Sequence, residues 1–492
     1  MEPVLQLALD FLELSRALKA AREAVKGGVQ WIEAGTPLVK SEGLNSIRAL
    51  RREFPKAYLI ADLKTLDAGR AEFEAAAKAG ANCATVCSTG SDSTILECIE
   101  AGKNYGIDVA VDLLGVHGDA QIELAKKCQE WGAHHVGLHL PIDDQMRGGD
   151  PAAELRLLRP HITMRIAVAG GVNSETVVDV VKAGADIVIV GGAITKSADA
   201  AKATRDILKA MRSGVAVASD YFKRGGSESE IRKIFEQVST PNISDAMHRS
   251  GDLPDMIPQL GGTKMVGPCV TVRTMSGDWA KPVEAIDVAK PGEVIVIDAG
   301  SRGPAVWGEL ASESCLSRKI AGVVIDGAIR DIDSIRSLKF PAFARIVTPT
   351  AGEPKGFGEI NVPIKIGNVP ILPGDWIVGD ESGVVRIPKA RAVEIANRAM
   401  DVLEKENRLR GEIRAGGTLA KITELIKWEK QIIDPPSLPP SGELRGTGSP
   451  SPAFAPRGAT AGLRRNVRSE SPKGNGSNGS HSKKPGKARK AR

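Results

Sequence analysis

Aromatic side chains are scarce in this chain, with Phe, Trp and Tyr together making up 4% of 492 residues. That scarcity excludes a surface built on base stacking or on aromatic sugar platforms. Long apolar runs are missing as well. None approaches the roughly 18 uninterrupted apolar residues of a membrane-spanning helix, so no span is expected. The opening stretch, MEPVLQLALDFLELSRALKAAREA, has no basic start, and carboxylates interrupt its apolar residues. It reads as a strand followed by a helix rather than as a secretion signal. Cysteine is thin too: Cys83, Cys87, Cys98, Cys128, Cys269 and Cys315 are widely spread. Cys83 and Cys87 lack the second pair that a zinc site needs, which leaves buried, reduced thiols in a cytoplasmic protein.

The formal net charge of +6 is unevenly placed. Residues 435–492 hold 12 Lys and Arg against two acids, Glu443 and Glu470, so the rest of the chain is mildly acidic. The same stretch is rich in Pro, Gly and Ser and has almost nothing apolar to bury. It cannot repay its ordering entropy, and residues 432–492 are expected to be disordered. A solubilising or incidental extension is the preferred reading of this tail, with a weak contact of its basic end to RNA or another polyanion as the alternative.

Ahead of that tail the chain changes character once. Residues 1–212 alternate short apolar runs (VLQLALD, VQWIEAG, AYLIAD, CATV, DVAVDLL, HVGLHL, RIAVAGG, DIVIVGG) with amphipathic stretches such as AEFEAAAKAG. Near-continuous apolar strands, each followed by a helix, indicate parallel strands covered by helices. Eight such units in about 210 residues fit an α/β fold of the (β/α)8 TIM-barrel type. A doubly wound open sheet is the alternative, but it does not ordinarily need eight evenly spaced units. Residues 213–227 read as a linker. Residues 228–431 hold short strands with few long helices between them, the pattern of a smaller α+β domain with a mixed β core.

Active sites of such barrels lie at the C-terminal ends of the strands. Asp10 is placed at the end of the first strand, Glu33 at the second and Asp62 at the third, with Lys64 and Asp67 just beyond. Asp112 ends the fifth and His139 the sixth, while Gly170-Gly171 and Gly191-Gly192 follow the seventh and eighth. Singly, each has a plain explanation as a helix cap or a turn. Jointly, acids, one Lys and one His converge on one rim, with paired glycines where these barrels usually bind phosphate. Two or three carboxylates make a hard oxygen site for Mg²⁺ or Mn²⁺, able to chelate a sugar phosphate and stabilise an enediolate. Lys64, expected between Asp62 and Asp67, would add electrostatic stabilisation, and His139 would move the proton.

D-L-K-T-L-D (Asp62 to Asp67) matches the D-x-K-x-x-D signature of the orotidine-monophosphate decarboxylase suprafamily. E-A-G-T-P-L (Glu33 to Leu38) and V-G-G-A-I-T (Val190 to Thr195) resemble the 3-hexulose-6-phosphate synthases in particular. That resemblance implies condensation of formaldehyde with ribulose 5-phosphate. Glu33 and Asp62 would ligate the metal, Lys64 and Asp67 would complete the charged array, and the glycine pairs would hold the phosphate. The last Asp of the signature reaches the neighbouring subunit's site, so a dimer is implied. The rival is 3-keto-L-gulonate 6-phosphate decarboxylase, which carries Arg where this chain has Ile142 and Gly192. Pro141 stands where the synthases usually have Gly.

In the second domain, WGELAS (Trp307 to Ser312), VVIDGAIRDIDSI (Val323 to Ile335) and PGDWIVGDESGVVRIP (Pro373 to Pro388) stand out. Arg330 and Asp331 sit together after an apolar strand, fit to clamp a carboxylate and to bind a metal; an internal ion pair that steadies the turn is the equal alternative. The segments resemble the family of 4-hydroxy-4-methyl-2-oxoglutarate aldolase and the regulator of ribonuclease E activity A. In the aldolases the Arg binds the pyruvyl carboxylate and the Asp the metal. An acid also follows at the third position, which is Ser334 here, after Asp333. The whole chain resembles fusions of these two families, which implies a two-domain lyase with a dimeric barrel and a trimer-forming second domain. A non-catalytic binding module is the other reading of that domain.

Overall fold

The computed structural model describes residues 2–219 and 224–423. The basic tail expected from residue 432 lies outside the described residues. Eight parallel strands close into a barrel in chain order: β1 (Val4–Leu9), β2 (Trp31–Ala34), β3 (Tyr58–Thr65), β4 (Cys83–Cys87), β5 (Asp108–Asp112), β6 (His135–His139), β7 (Arg165–Ala169) and β8 (Ile187–Val190). Closure is made by β8 on β1, with Val4 opposite Ile187 and Leu7 opposite Val190. The expected TIM barrel is present.

Strand alternation divides the side chains between two environments. Leu5, Leu7, Leu9, Ile32, Leu59, Val109 and Leu138 turn outward and join helix residues such as Ala21, Leu50, Phe73 and Ile95 in one core. The intervening residues face inward. Near the N-terminal ends of the strands Trp31 stacks on Tyr58, ring centroids 3.9 Å apart, and the Arg165 guanidinium lies over the Trp31 ring. Ile60, Cys83 and Ala110 pack on this plug. Nearer the C-terminal ends the inward residues include Ala8, Gly137, Ala167 and Ala169, too small to fill the barrel, and a cavity of about 580 Å³ opens there.

One strand departs from regularity. Ala61 of β3 pairs with Ala84 and Thr65 with Val86, so β3 carries two more residues than β4 over the same length. Lys64 takes up the excess in the left-handed region, φ +49°, and its N–H donates to Thr85 Oγ1 at 3.0 Å. The strand therefore runs on past Asp62, where the apolar pattern ends.

The second domain opens with a helix at Glu228–Gln237, held by a capping box between Ser227 and Glu230. Eleven strands follow: β9 (Asp252–Leu253), β10 (Ile257–Pro258), β11 (Met265–Thr274), β12 (Val294–Asp298), β13 (Gly322–Ile329), β14 (Ala342–Val347), β15 (Gly358–Ile360), β16 (Ile364–Ile366), β17 (Val369–Ile371), β18 (Trp376–Asp380) and β19 (Gly383–Ile387). Parallel strands in the order β14-β13-β12-β11 continue into antiparallel β18, β19 and β9, while β16 and β17 pair separately. This is the mixed β core expected of the region. All six cysteines are buried and free. No helix among the described residues is long and apolar enough to cross a membrane.

A last long helix, Ala392–Arg414, packs on the helices Glu228–Gln237 and Thr240–Ala246, burying Ile395, Ala396 and Ala399. It also reaches the barrel, with which the second domain forms one compact unit. Asn397 is fully buried; its amide donates to the carbonyls of Met146 (2.8 Å) and Gly225 (3.2 Å), and its oxygen accepts from Gly225 N–H (2.8 Å). Asn397→Leu strands these backbone groups without partners. It should lower unfolding free energy by roughly 2–4 kcal/mol in urea titrations, against under about 0.5 kcal/mol if the junction were loose.

Candidate active site

Strand ends bring Asp10, Glu33, Asp62, Lys64, Asp112, His139 and all four glycines of the two pairs to the wall of the cavity. Asp67 does not join them. Its side chain is exposed, accepts from the Ala68 N–H at 2.7 Å, and lines a separate surface hollow with Arg70 and Glu74. The expectation that Lys64 lies between Asp62 and Asp67 is therefore corrected. Lys64 Nζ bridges Asp62 (3.1 Å) and Asp112 (2.6 Å). The surplus residues of β3 are the physical reason, because the left-handed backbone at Lys64 accompanies a side chain that spans the barrel to β5. By Asp67 the chain has already turned toward the helix Gly69–Ala79.

Asp62 is the most heavily bonded member of the set. One oxygen accepts from Thr36 Oγ1 (2.6 Å) and the Thr36 N–H (3.3 Å), the other from Thr85 Oγ1 (2.8 Å) and Lys64. Asp112 Oδ2 takes Lys64 and lies 3.3 Å from His139 Nδ1, so lysine, carboxylate and imidazole form one chain. Burial alone would raise the Asp112 carboxyl, but the His139 hydrogen bond and the Lys64 charge outweigh it and hold it below the usual range. Burial likewise opposes the Lys64 charge, and Asp62 and Asp112 overcome it, leaving the ammonium firmly protonated.

At Glu33 the compensation falls short, because the Lys64 charge and the Gln6 hydrogen bond do not offset what raises it. Burial pushes its carboxyl well above the usual range, and the nearby Asp62 and Asp10 push it further. Asp10 is raised for the same two reasons, burial and then Asp62. Gln6 donates its amide N–H to Glu33, while its own carbonyl oxygen is buried without a hydrogen-bond partner. Among the described residues no three His, Cys, Asp or Glu form a closed metal cluster. Glu33 and Asp62 nonetheless suit a hard divalent cation. Mg²⁺ is commonly held by one or two carboxylates and otherwise by water and substrate, and mutual repulsion of this kind is what a cation relieves.

The glycines have steric reasons. A Cβ on Gly35 would lie 2.2 Å from Asp10 Oδ1, so the E-A-G-T turn has room for no other residue beside that carboxylate. Gly170 adopts φ +113°, and a Cβ there would meet Leu140 at 2.8 Å. Pro141, the departure in the His139 loop, is accommodated. Its φ of −55° suits the ring, and its carbonyl accepts from Asp144 and Gln145 N–H to open the short helix Ile142–Met146. Gln6, Thr36 and Thr85 were not singled out in the sequence, although their inward register on the strands, or place in E-A-G-T, marks them. Lys196, Asp401 and Lys405 also line the cavity. The last two come from the Ala392–Arg414 helix, and no local pattern announces them.

In the second domain β13 delivers Arg330 and Asp331 beside the WGELAS segment. Arg330 N–H donates to the Trp307 carbonyl (3.0 Å), and Asp331 accepts from the Glu309 N–H (3.2 Å). Asp331 sits at φ +59°, and a Cβ on Gly308 would lie 2.4 Å from its carboxylate. Arg330 Nε and Asp331 Oδ2 are 3.4 Å apart and half exposed, so the ion pair of the simpler reading is present in a turn that leaves both heads accessible. Asp333 is fully exposed and faces Arg336 at 3.7 Å.

Residues 3–207 match the orotidine 5'-phosphate decarboxylase / HUMPS family, and residues 240–386 match the aldolase/RraA family. The chain is 37% identical over 207 residues to 3-hexulose-6-phosphate synthase of Mycobacterium gastri, covering 42% of this chain and 99% of that one. It is 43% identical over 177 residues to a putative 4-hydroxy-4-methyl-2-oxoglutarate aldolase of Halalkalibacterium halodurans, covering 35% and 84%. A solved 3-hexulose-6-phosphate synthase from Salmonella typhimurium aligns at 37% identity over 43% of this chain and 99% of its own, TM-score 0.41. The relatives define the class, a carbon–carbon lyase. The chain belongs to the orotidine 5'-phosphate decarboxylase / HUMPS family through its barrel and to the aldolase/RraA family through its second domain.

Glu33 generates a test that needs no substrate. A carboxyl whose pKa is raised in the fold contributes stability below its unfolded value, and that contribution is lost as pH rises through the folded value. The Glu33 carboxyl therefore opposes folding at neutral pH when no cation is bound, because the fold must either bury its charge or take up a proton. Glu33→Gln should raise the thermal midpoint in EDTA at pH 7 by a few degrees, with the gain shrinking toward pH 4. An unchanged or lower midpoint at pH 7 contradicts the reading.

Proposed function

We propose that the barrel joins formaldehyde to D-ribulose 5-phosphate, reversibly, to give D-arabino-hex-3-ulose 6-phosphate. The observation that carries this is the Asp62–Lys64–Asp112–His139 chain, which shares one cavity with Glu33 and with both glycine pairs. Similarity to proteins named 3-hexulose-6-phosphate synthase supports it. Glu33 and Asp62 would hold Mg²⁺ or Mn²⁺; when bound, the cation supplies a Lewis acid for neighbouring substrate oxygens.

His139, oriented by Asp112, takes the proton from C1 of ribulose 5-phosphate. The C1 electron pair then forms the bond to the formaldehyde carbon as the C=O π bond breaks, and the formaldehyde oxygen takes the proton back from His139 to become the new hydroxyl. Lys64 balances the negative charge that grows on the substrate oxygen, and Asp10 holds a substrate hydroxyl beside it. Gly170, Gly171, Gly191 and Gly192 offer backbone to the phosphate. Asp67, exposed and turned from its own cavity, is available to a second copy, so the proposal includes a dimeric barrel in the cytoplasm. Ile142 and Gly192, apolar and bare at the cavity wall, disfavour 3-keto-L-gulonate 6-phosphate decarboxylation.

The assay is formaldehyde-dependent loss of ribulose 5-phosphate. Activity should need Mg²⁺ or Mn²⁺, vanish in EDTA and fall about 10²–10⁴-fold in His139→Ala. Activity that survives EDTA or Asp62→Asn removes the metal-assisted route, and turnover of 3-keto-L-gulonate 6-phosphate alone transfers the barrel to the rival reaction.

For the second domain we propose cleavage of a 2-oxo acid, with Arg330 on the substrate carboxylate and Asp331 toward a divalent metal. The accessible Arg–Asp turn beside Gly308 supports it, as does the similarity to the putative aldolase. Pyruvate release from 4-hydroxy-4-methyl-2-oxoglutarate should fall at least about 10²-fold in Asp331→Ala while barrel activity persists. Absence of any such release from the wild-type chain favours the binding-module reading.

A further inference from the structure

The cavity has a second charged end that the chemistry above leaves unused. Lys196 follows the short helix Gly192–Thr195, its N–H on the Gly192 carbonyl at 3.0 Å. Its ammonium pairs with Asp401, which lies 205 residues further along the chain in the Ala392–Arg414 helix. That helix falls outside both family matches, 3–207 and 240–386. One turn on, Lys405 reaches the same carboxylate at 2.8 Å, and Arg224 approaches it at 3.3 Å from the other side. Lys196, Asp401 and Lys405 line the cavity together with Gly170, Gly171, Gly191 and Gly192.

Two ammonium groups and one carboxylate at the wall leave this end positive, whereas the Glu33–Asp62 end is crowded with carboxylates. Burial would raise Asp401, but Lys196 and Lys405 hold it down to about 2, so it is a permanent counter-ion. The Lys405 side chain is 62% exposed and can turn from Asp401 to a ligand without breaking the core.

We propose that Lys405, with Lys196, forms the cationic part of the barrel's phosphate subsite, and that Asp401 is the resident anion whose lysines a phosphate dianion shares. The helix Ala392–Arg414 thereby completes the barrel's site. The inference rests on the sugar-phosphate reading of the barrel. Charge-assisted bonds to phosphate are the strong ones, and Asp401 retains Arg224 when Lys405 swings away.

The test uses the full chain in EDTA, titrated calorimetrically with inorganic phosphate. Lys405→Ala should weaken phosphate binding about tenfold, and Lys405→Arg should restore most of it. Asp401→Asn should tighten it several-fold, a sign that mere loosening of the helix would not produce. In the formaldehyde assay Lys405→Ala should raise KM for ribulose 5-phosphate with kcat little changed. Phosphate affinity equal in Lys405→Ala and wild type overturns the inference. So does turnover of ribulose 5-phosphate with an unchanged KM in that variant, an outcome that leaves the proposed reaction standing. Lys405-dependent phosphate binding in a chain inert toward ribulose 5-phosphate does the reverse.

Discussion

Carboxylates crowded into one small volume repel each other, and the upper barrel is organised around that repulsion. Asp10, Glu33, Asp62 and Asp112 all face the cavity, with one lysine set among them. Lys64 neutralises Asp62 and Asp112, two threonines hydrogen-bond Asp62, and Glu33 and Asp10 stay under-compensated. Charge that the fold itself cannot settle is charge held ready for a ligand. The small inward residues nearby and the aromatic plug below serve the same end: they leave the acids room and a floor.

Most of this was legible in the sequence, for physical reasons. Eight apolar runs at even spacing admit few folds, and a barrel sends strand ends to one rim, so the pattern alone groups Asp10 with Glu33, 23 residues on, and with His139, 129 residues on. The partner of Lys64 was not legible. D-L-K-T-L-D suggests that Lys64 belongs with its neighbour Asp67, whereas the bulged backbone gives it to Asp112, 48 residues away. Thr36 and Thr85 were missed because their only mark, inward register or a place in E-A-G-T, gains meaning once the carboxylate they hold is known. Asp401 and Lys405 lay beyond reach: a helix rich in Glu, Lys and Arg reads as a solvated helix, and only packing reveals that one face meets the barrel.

The second domain shows a different division of labour. Its parallel strands β11 to β14 form an apolar centre in which every residue of β13 is buried. That packing lets the turn after β13 hold a left-handed aspartate, Asp331, beside a glycine with no space for a side chain. WGELAS and DGAIRD, separate in sequence, are one structure there. A conformation that disfavours ordinary residues persists only where surrounding packing determines it, and the buried strand supplies that packing.

The irregularity of β3 bears on how such a site can coexist with a well-packed barrel. Its surplus is two residues, an even number, so the inward and outward faces of the strand come back into phase with β4 at Thr65. An odd excess would have turned the following side chains inside out. The signature motif is thus a local excursion with the same entry and exit phase as a plain strand. The outward side chains of β3 therefore keep their place in the hydrophobic layer on both sides of the excursion.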